Sequence, residues 1–447
     1  MIPDLEAWIQ ERRITEVECM VSDVSGIPRG KILPARKFLK AIGEQGLRIP
    51  ESVFGLTVTG DYIEEYDLNP RASDVYLRPA PETIRMVPWY KEPTAQVICD
   101  AYYFDGSPVD VSPRHVLRRV LDLYAERGWK PTVAPELEFF LVKVNADPDY
   151  PLEPPIGRSG RPETARQAYG IDAVNEFDPL FEDIYDYCEA QDIDVDTLTH
   201  ESGAAQLEIN FNHGDPMELA DQTFLFKRTV RQTALNHGVY ATFMAKPMQR
   251  EPGSSMHIHQ SVSDVATGRN LFANEDGENS EFFLNYIGGL QKYLSASMPL
   301  LAPYVNSYRR LMPDNDAPIN VHWGIDNRTV GFRVPISSPE ARRVENRVAG
   351  ADANPYLAMA GSLACGYLGV VEELEPSKPI DGSAYQLAVN LPRHLEDALL
   401  RLNRAKPLRE LLGQRFVNVL TTVKETESRA YMQVISAWER EFLLLNV

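Results

Sequence analysis

Cysteine is scarce in this sequence. Its 447 residues include 4 cysteines, and no Cys-x-x-Cys pair occurs. They are Cys19, Cys99, Cys188 and Cys365. Such wide spacing argues against a disulfide framework and against a cysteine-type zinc site. We therefore expect buried thiols in a reducing compartment.

Long apolar runs and a leading basic segment are also missing. The most apolar stretch, residues 356–371, contains three glycines and is too short to span a bilayer. The first residues lack the basic and then apolar pattern that is typical of a secretory signal. These observations predict a cytoplasmic protein without a membrane partner.

Basic residues are fewer than acidic residues. Lysine and arginine number 45 against 64 aspartates and glutamates, so the formal net charge is −19 at pH 7. A chain of this sign repels the phosphates of nucleic acids. We therefore expect no nucleic-acid partner, whereas small molecules and cationic substrates remain compatible with the charge.

The length and a hydrophobic content of 44% predict two domains, or one large domain with an appendage. Residues 1–108 contain short strand-like segments joined by glycine- and proline-rich turns, as expected of a small, mostly β domain. Ser112 and Pro113 then form an N-cap followed by proline at the first helical position. Residues 109–447 would form the larger domain.

Residues 256–263 alternate between apolar and polar side chains, as in a strand with one polar face. His257, His259 and Ser261 share that face. Two imidazoles on one face suit a metal ion or a phosphate. A His-x-His pair by itself is weak, because two half-buried histidines would give the same pattern.

Several other segments alternate in the same way, and their polar faces carry carboxylates and arginines. The carboxylates on or beside these faces are Glu136, Glu138, Glu201, Glu208 and Glu345. The arginines are Arg333, Arg343 and Arg347. For any one strand, a solvated face is the simpler interpretation.

Taken together, these faces predict a phosphoryl-transfer site. Carboxylates that share a pocket repel one another unless cations lie among them. Carboxylate-rich sites with a histidine suit Mg²⁺ or Mn²⁺. Arginines bind phosphoryl oxygens and carboxylates through two parallel hydrogen bonds. Divalent ions and arginines are the groups that neutralise a phosphoryl group in transfer.

Ordered motifs along nearly the whole chain resemble the glutamine synthetase superfamily. They are Pro135-Glu-Leu-Glu-Phe-Phe, Gly253-Ser-Ser-Met-His-Ile-His-Gln-Ser, Asn306-Ser-Tyr-Arg-Arg-Leu, Asn327-Arg-Thr and Asn354-Pro-Tyr-Leu. The resemblance implies an α+β fold, with a small N-terminal β-grasp domain and a catalytic domain built on a curved antiparallel sheet with surrounding helices. It also implies a homo-oligomer, a dodecamer of two stacked hexameric rings with active sites between neighbouring subunits.

The resemblance also implies a role for each site residue. One metal ion would be bound by Glu138, Glu201 and Glu208. The second, which bridges the ATP phosphates, would be bound by Glu136, His257 and Glu345. The nucleotide would contact His259, Ser261, Arg333, Arg343 and Arg347. Glutamate would contact Gly253, His257, Arg310 and Arg347. The catalytic residues would be Asp316, Arg328 and Arg333.

The implied reaction has two steps and uses ATP with Mg²⁺ or Mn²⁺. The γ-carboxylate of glutamate attacks the terminal phosphate of ATP and forms γ-glutamyl phosphate. An amine then displaces the phosphate and forms an amide.

Three departures from the ammonia-using members bear on the amine. Gly55, in Val53-Phe-Gly-Leu-Thr, takes the place of an ammonium-binding aspartate. Asp316 replaces a glutamate at the end of a flap, and Pro252 replaces an asparagine near the glutamate site. The pattern resembles the γ-glutamylpolyamine (γ-glutamylputrescine) synthetase branch.

Other functions remain open within and outside this branch. They are an ammonia-using glutamine synthetase and a γ-glutamyl ligase for another monoamine. A non-catalytic structural member of the fold is a further alternative, but such a protein should have lost the metal carboxylates.

Overall fold

The computed structural model describes residues 4–44, 46–63, 73–164, 166–313 and 317–447. Within these residues the chain forms two β-sheets with helices packed around them. This architecture confirms the α+β fold class. The four cysteines are buried and free, as the sequence predicted.

The first sheet is built from the N-terminal part of the chain. Its strands are β1 (Glu16–Ser22), β2 (Pro28–Pro34), β3 (Arg48–Pro50), β4 (Asp74–Pro79), β5 (Arg85–Met86) and β6 (Thr94–Tyr102). The order is β2-β1-β6-β4-β3, with β5 also paired to β6. β1 and β6 are parallel, and the other described pairs are antiparallel.

The second sheet carries the polar faces found in the sequence. Its strands are β7 (Trp129–Lys143), β8 (Val195–His200), β9 (Gln206–Phe211), β10 (Val239–Thr242), β11 (Met256–Asp264), β12 (Trp323–Ile325), β13 (Phe332–Val334) and β14 (Val344–Asn346). The order is β12-β13-β14-β11-β7-β9-β8, and β10 pairs with the far end of β7. All the described pairs are antiparallel except β12 with β13.

The register of the second sheet places chemically active residues opposite one another. His257 on β11 lies opposite Glu136 on β7, and Glu138 on β7 lies opposite Glu208 on β9. On the other side of β11, His259 lies opposite Glu345 on β14. Directly opposed side chains in an antiparallel pair have Cβ atoms about 4.5–5.5 Å apart. The alternation in each strand therefore becomes one continuous polar face.

The helices pack around the sheets and against one another. They are α1 (Leu5–Glu11), α2 (Ala35–Gly43), α3 (Pro113–Glu126), α4 (Ile171–Asn175), α5 (Asp178–Ala190), α6 (Pro216–Asn236), α7 (Glu281–Leu301), α8 (Ser307–Arg310), α9 (Pro355–Val371), α10 (Leu395–Arg404), α11 (Lys406–Leu412), α12 (Gln414–Met432) and α13 (Ala437–Phe442). α3 begins at Pro113 after the N-cap Ser112, as predicted. The domain boundary at residue 108 remains a prediction.

The apolar helix α9 lies against α7, and glycines on both helices allow the two backbones to approach closely. A Cβ atom on Gly366 would come within 2.1 Å of the Tyr286 ring, and one on Gly289 within 2.2 Å of the Cys365 carbonyl oxygen. Any larger side chain at these positions would force the helices apart. Among the described residues no helix is long and apolar enough to cross a membrane.

A buried ionic cluster joins the first sheet to the helices beside the second. The Arg114 guanidinium on α3 donates to both carboxylate oxygens of Asp221 on α6, at 3.0 Å each, and to Asp100 on β6 at 2.6 Å. The Tyr356 hydroxyl on α9 donates to Asp221 at 2.6 Å. The Arg114 side chain is 4% exposed. Its loss would leave two buried carboxylates without their main counter-charge.

We predict that Arg114→Met lowers the free energy of unfolding by about 3–5 kcal/mol, the usual cost of removing one partner from a buried ion pair. Arg118→Met is the matched control, because Arg118 also contacts Asp100 but its side chain is 42% exposed. The control should lose less than about 1 kcal/mol. Urea denaturation measures both values, and equal losses would contradict a special role for Arg114.

Candidate active site

The polar face of the second sheet brings together two groups of possible metal ligands. In each group, one ligand atom per residue lies within 4.8 Å of the others. The first group is Glu136, His257 and Glu345. The second is Glu138, Glu208 and His257. Carboxylates and one imidazole at this spacing are the ligand set that Mg²⁺ and Mn²⁺ accept.

The first group coincides with the set expected for the ion that bridges the ATP phosphates. Nδ1 of His257 lies 3.2 Å from Glu136 Oε2 and 3.6 Å from Glu345 Oε1. His257 is buried, and this burial, followed by the charge of Arg347, lowers its pKa. A neutral imidazole is the form that binds a metal ion.

The second group differs from the expected set in one member. Glu138 and Glu208 are present, but His257 takes the place expected for Glu201. Glu201 follows the end of β8 and does not lie on a strand face. Its carboxylate still interacts with Glu138, whose negative charge adds to burial in raising the pKa of Glu201. Glu201 therefore borders the cluster.

The alternation alone suggested that Glu138 lies on a solvated face. In the structure its side chain is instead covered by Ser255. Its side chain accepts hydrogen bonds from the Ser255 backbone nitrogen at 2.8 Å and the Ser255 hydroxyl at 2.5 Å. Gln206 also donates to Glu138, at 3.4 Å, and to the Gly253 carbonyl at 2.9 Å. Glu138 thus also anchors the start of β11. Ser255 lies within the Gly253-Ser-Ser-Met motif and Gln206 on the same alternating strand as Glu208, but their pattern in the sequence did not predict that they bind Glu138.

The carboxylates on this face repel one another. Burial, and then the charges of Glu138 and Glu136, raise the pKa of Glu208 to about 9. Burial and the charge of Glu138 raise the pKa of Glu201 to about 7. The chain's own cations therefore do not balance this side of the cluster. A pair of divalent cations would balance the negative charge there.

Arginines balance the other side. Glu345 accepts hydrogen bonds from Arg333 at 2.8 Å and from Arg347 at 2.6 Å. Burial alone would raise the pKa of Glu345, but Arg347 and His257 hold it at about 2. Arg333 also donates to Asp326, which has a positive φ of 46°. No motif in the sequence pointed to Asp326.

A cavity of about 450 Å³ opens beside the first ligand group, and its lining includes Glu136, His259, Ser261 and Arg343. Nε of Arg343 donates to Nδ1 of His259 at 3.1 Å. Since this nitrogen accepts, the ring carries its hydrogen on Nε2, which lies 2.8 Å from Glu136 Oε1. Three of the expected nucleotide contacts therefore line one cavity next to a metal-ligand candidate.

Arg310, expected to bind the α-carboxylate of glutamate, is 3% exposed. Its two terminal nitrogens donate to the Val348 carbonyl at 2.9 Å and the Arg347 carbonyl at 2.8 Å. Burial lowers its pKa to about 10. A Cβ atom on Gly253 would lie 2.5 Å from Arg310 Cγ, so glycine allows this close approach.

Three residues from the sequence analysis remain to be placed: Arg328, Asp316 and Gly55. Arg328 is exposed, and its charge opposes in small part the rise in the pKa of Glu201 that burial and Glu138 cause. Asp316 lies outside the described residues. Gly55 is buried in the 3₁₀ turn Glu51–Gly55, which an ion pair of 2.7 Å between Glu51 and Arg415 ties to α12.

Comparison with known proteins identifies the family. Residues 110–443 match the family model described as "Glutamine synthetase, catalytic domain". The chain is 36% identical over 436 residues to gamma-glutamylputrescine synthetase PuuA of Escherichia coli strain K12, covering 96% of this chain and 92% of the relative. It is 32% identical over 446 residues to glutamate–isopropylamine ligase of Pseudomonas sp, covering 97% and 95%.

The fold shows the same relationship. A solved structure described as "Apo GmaS without ligand" superposes with a TM-score of 0.85 at 28% identity, covering 99% of both chains. A "GmaS/ADP complex" superposes with a TM-score of 0.86 at 27% identity. Glutamine synthetase of Pyrococcus abyssi is 33% identical over 431 residues, covering 94% of this chain and 92% of the relative. The chain therefore belongs to the glutamine synthetase family.

Proposed function

We propose that this protein is an ATP-dependent ligase that joins the γ-carboxylate of glutamate to putrescine or another polyamine through γ-glutamyl phosphate. The observation that carries the proposal is the polar sheet face, where two groups of metal-ligand candidates lie beside arginines. The similarity to PuuA and to glutamate–isopropylamine ligase supports an amine as the acceptor.

Divalent cations fit the chemistry of this face. Burial and then repulsion from neighbouring carboxylates raise the pKa values of Glu208 and Glu201, and cations between these side chains would remove that cost. Glu136, His257 and Glu345 would hold one ion, and Glu138, Glu208 and His257 or Glu201 the other. When bound, the ions would neutralise the phosphate oxygens of ATP.

The arginines orient the two substrates. Arg310 is held by two carbonyl oxygens, and its remaining N–H groups are available for the α-carboxylate of glutamate. Arg333 and Arg328 would face the phosphoryl group that is transferred. Arg343 and His259 line the cavity that would take the nucleotide. Fixed groups of this kind stabilise a transition state without reorganising.

The acceptor side favours an amine larger than ammonia. Ammonium binding requires a nearby carboxylate, which Gly55 does not supply. A glycine there, with Asp316 one methylene shorter than glutamate, would leave room for the carbon chain of a diamine. Asp316 would take the proton from the attacking amine.

A small monoamine is the second candidate acceptor, because the isopropylamine ligase is similar over nearly the whole of both chains. Ammonia is a third, since the similarity to glutamine synthetases extends over comparable lengths. The amine comparison below distinguishes the three.

We further propose that the chain assembles into the dodecamer of two stacked hexameric rings expected from the resemblance. The C-terminal residues support an interface between copies. Trp438, Phe442, Leu444 and Leu445 are exposed, at 62%, 51%, 74% and 91%. Exposed apolar side chains in such a contiguous group are typical of a protein–protein contact.

We predict that Mg²⁺ raises the melting temperature more at pH 8.5 than at pH 6.5. Bound metal needs ionised carboxylates, and the pKa values of Glu201 and Glu208 lie at about 7 and about 9. Raising the pH through this range removes the competing protons, so affinity should rise up to about tenfold per pH unit for each proton displaced.

Differential scanning fluorimetry with and without Mg²⁺ provides the measurement. Glu208→Gln should abolish most of the Mg²⁺ shift. The control Glu189→Gln, at an exposed position on α5, should retain it. A shift that is the same at both pH values would contradict the assignment of these carboxylates.

We predict that Arg310→Lys raises the KM for glutamate about a hundredfold, because losing a two-point carboxylate contact costs on the order of 2–3 kcal/mol. The KM for ATP should change less than about threefold, since the nucleotide contacts are untouched. Arg309→Gln, the neighbouring exposed position, is the control. Steady-state ADP release measures both constants, and an unchanged KM for glutamate would show that Arg310 has another role.

We predict that putrescine or a longer polyamine is used at least ~100-fold more efficiently than ammonium, a difference of about 2.7 kcal/mol in transition-state binding. ADP release at saturating ATP and glutamate, with putrescine, spermidine, isopropylamine and ammonium in parallel, measures this. Gly55→Asp should narrow the gap by improving the use of ammonium. Preference for isopropylamine would establish the monoamine function, and preference for ammonium would contradict the proposal.

A further inference from the structure

A cavity of about 690 Å³ lies apart from the carboxylate face, between α6, α12 and the turn that follows β1. Its size falls within the range of about 300–1,000 Å³ that small-molecule sites occupy. Much of its wall is apolar, with Ile27, Phe243, Val305 and Leu395 among the lining residues. None of the residues assigned above to metal, nucleotide or glutamate lines it.

Two cations on consecutive turns of α6 enter this cavity. Lys227 is 6% exposed, and its ammonium donates to the Ala353 carbonyl at 2.7 Å. That single bond leaves two N–H donors. The Arg231 guanidinium lies 5.1 Å from the centre of the Phe243 ring and has no carboxylate partner among the residues the structure describes. Both groups therefore retain hydrogen-bonding capacity.

The carboxylates of the cavity do not neutralise these cations. Glu427 accepts from Lys424 at 2.9 Å and from the Val58 backbone nitrogen at 2.7 Å, so its charge is already matched. Asp352 accepts from the Ser307 hydroxyl at 2.6 Å and, within the described chain, lies beyond ion-pair distance of Lys227, although its charge partly offsets that of the ammonium. Asp352 thus faces three cations that line the cavity, Lys227, Arg231 and Arg309.

This local excess of positive charge is unusual in a chain whose net charge is −19. Burial lowers the pKa of Lys227 to about 7, and the charge of Arg231 adds to the effect. Keeping the buried Lys227 charged beside an apolar wall and a second cation is costly unless an anion accompanies it. The apolar wall disfavours phosphate, which needs polar contacts around all its oxygens, whereas a carboxylate with an apolar body would meet both parts of the cavity.

We propose that this cavity binds a small organic carboxylate whose body is aliphatic or aromatic. The carboxylate lies between Lys227 and Arg231, and the apolar body packs against Phe243 and Val305. The site is separate from the residues assigned above to metal, nucleotide and glutamate. It would exist whichever amine the enzyme uses.

The test uses phenylacetate and hexanoate as probes, titrated into the full-length protein by isothermal calorimetry. At least one acid should bind once per chain. The matched alcohol, 2-phenylethanol or hexanol, should bind at least tenfold more weakly. Binding should persist in saturating glutamate and ADP, because the sites are separate. Failure of both acids, equal binding of the alcohol, or displacement by glutamate would each overturn the proposal.

Substitutions of the two cations on α6 test where the acid binds. Arg231→Gln and Lys227→Met should each weaken acid binding at least tenfold. Arg231 is exposed, so its replacement should leave the fold intact even if Lys227→Met does not. Arg269→Gln, an exposed position on the turn after β11, removes one positive charge elsewhere and should leave binding unchanged. Undiminished binding in Arg231→Gln would place the acid at another site and overturn the assignment.

Discussion

Repulsion among carboxylates on one sheet face is the constraint on which the active site depends. Glu136, Glu138, Glu208 and Glu345 reach this face from β7, β9 and β14, and Glu201 borders it. Arg333 and Arg347 neutralise one end, where the pKa of Glu345 stays low. At the other end, Glu201 and Glu208 form no ion pair with a described residue, and burial and mutual repulsion raise their pKa values. Negative charge is therefore in excess at one end of the face, where divalent cations would bind.

The sequence predicted which side chains share a strand face, but not which side chains of adjacent strands lie opposite them. Period-two alternation identified Glu136 and Glu138 on one side of a strand, because alternation is a local property. Which residue lies opposite each of them depends on register, which the whole sheet sets. The exchange of Glu201 for His257 in the second ligand group and the burial of Glu138 beneath Ser255 therefore could not be derived locally.

Other parts of the molecule lay further beyond sequence reasoning. The two carbonyl oxygens that hold Arg310 follow β14, almost forty residues away along the chain. The 690 Å³ cavity joins segments from the first turn to α12, and Lys227 and Arg231 resemble ordinary helix-surface residues in the sequence. Motif resemblance supplied the family and the roles of the site residues. The distances and the pKa values needed the three-dimensional arrangement.

The register of β11 between β7 and β14 has a consequence for how such proteins diverge. A one-residue insertion in β11 would turn His257 and His259 into the core and bring Ile258 to the polar face, so length changes within this strand are not tolerated. The described residues between 145 and 170, by contrast, form no helix or long strand, and most of their side chains are exposed. Such loops accept insertions and deletions. Lineages of this fold can therefore lengthen and shorten their loops freely while the strand lengths stay fixed.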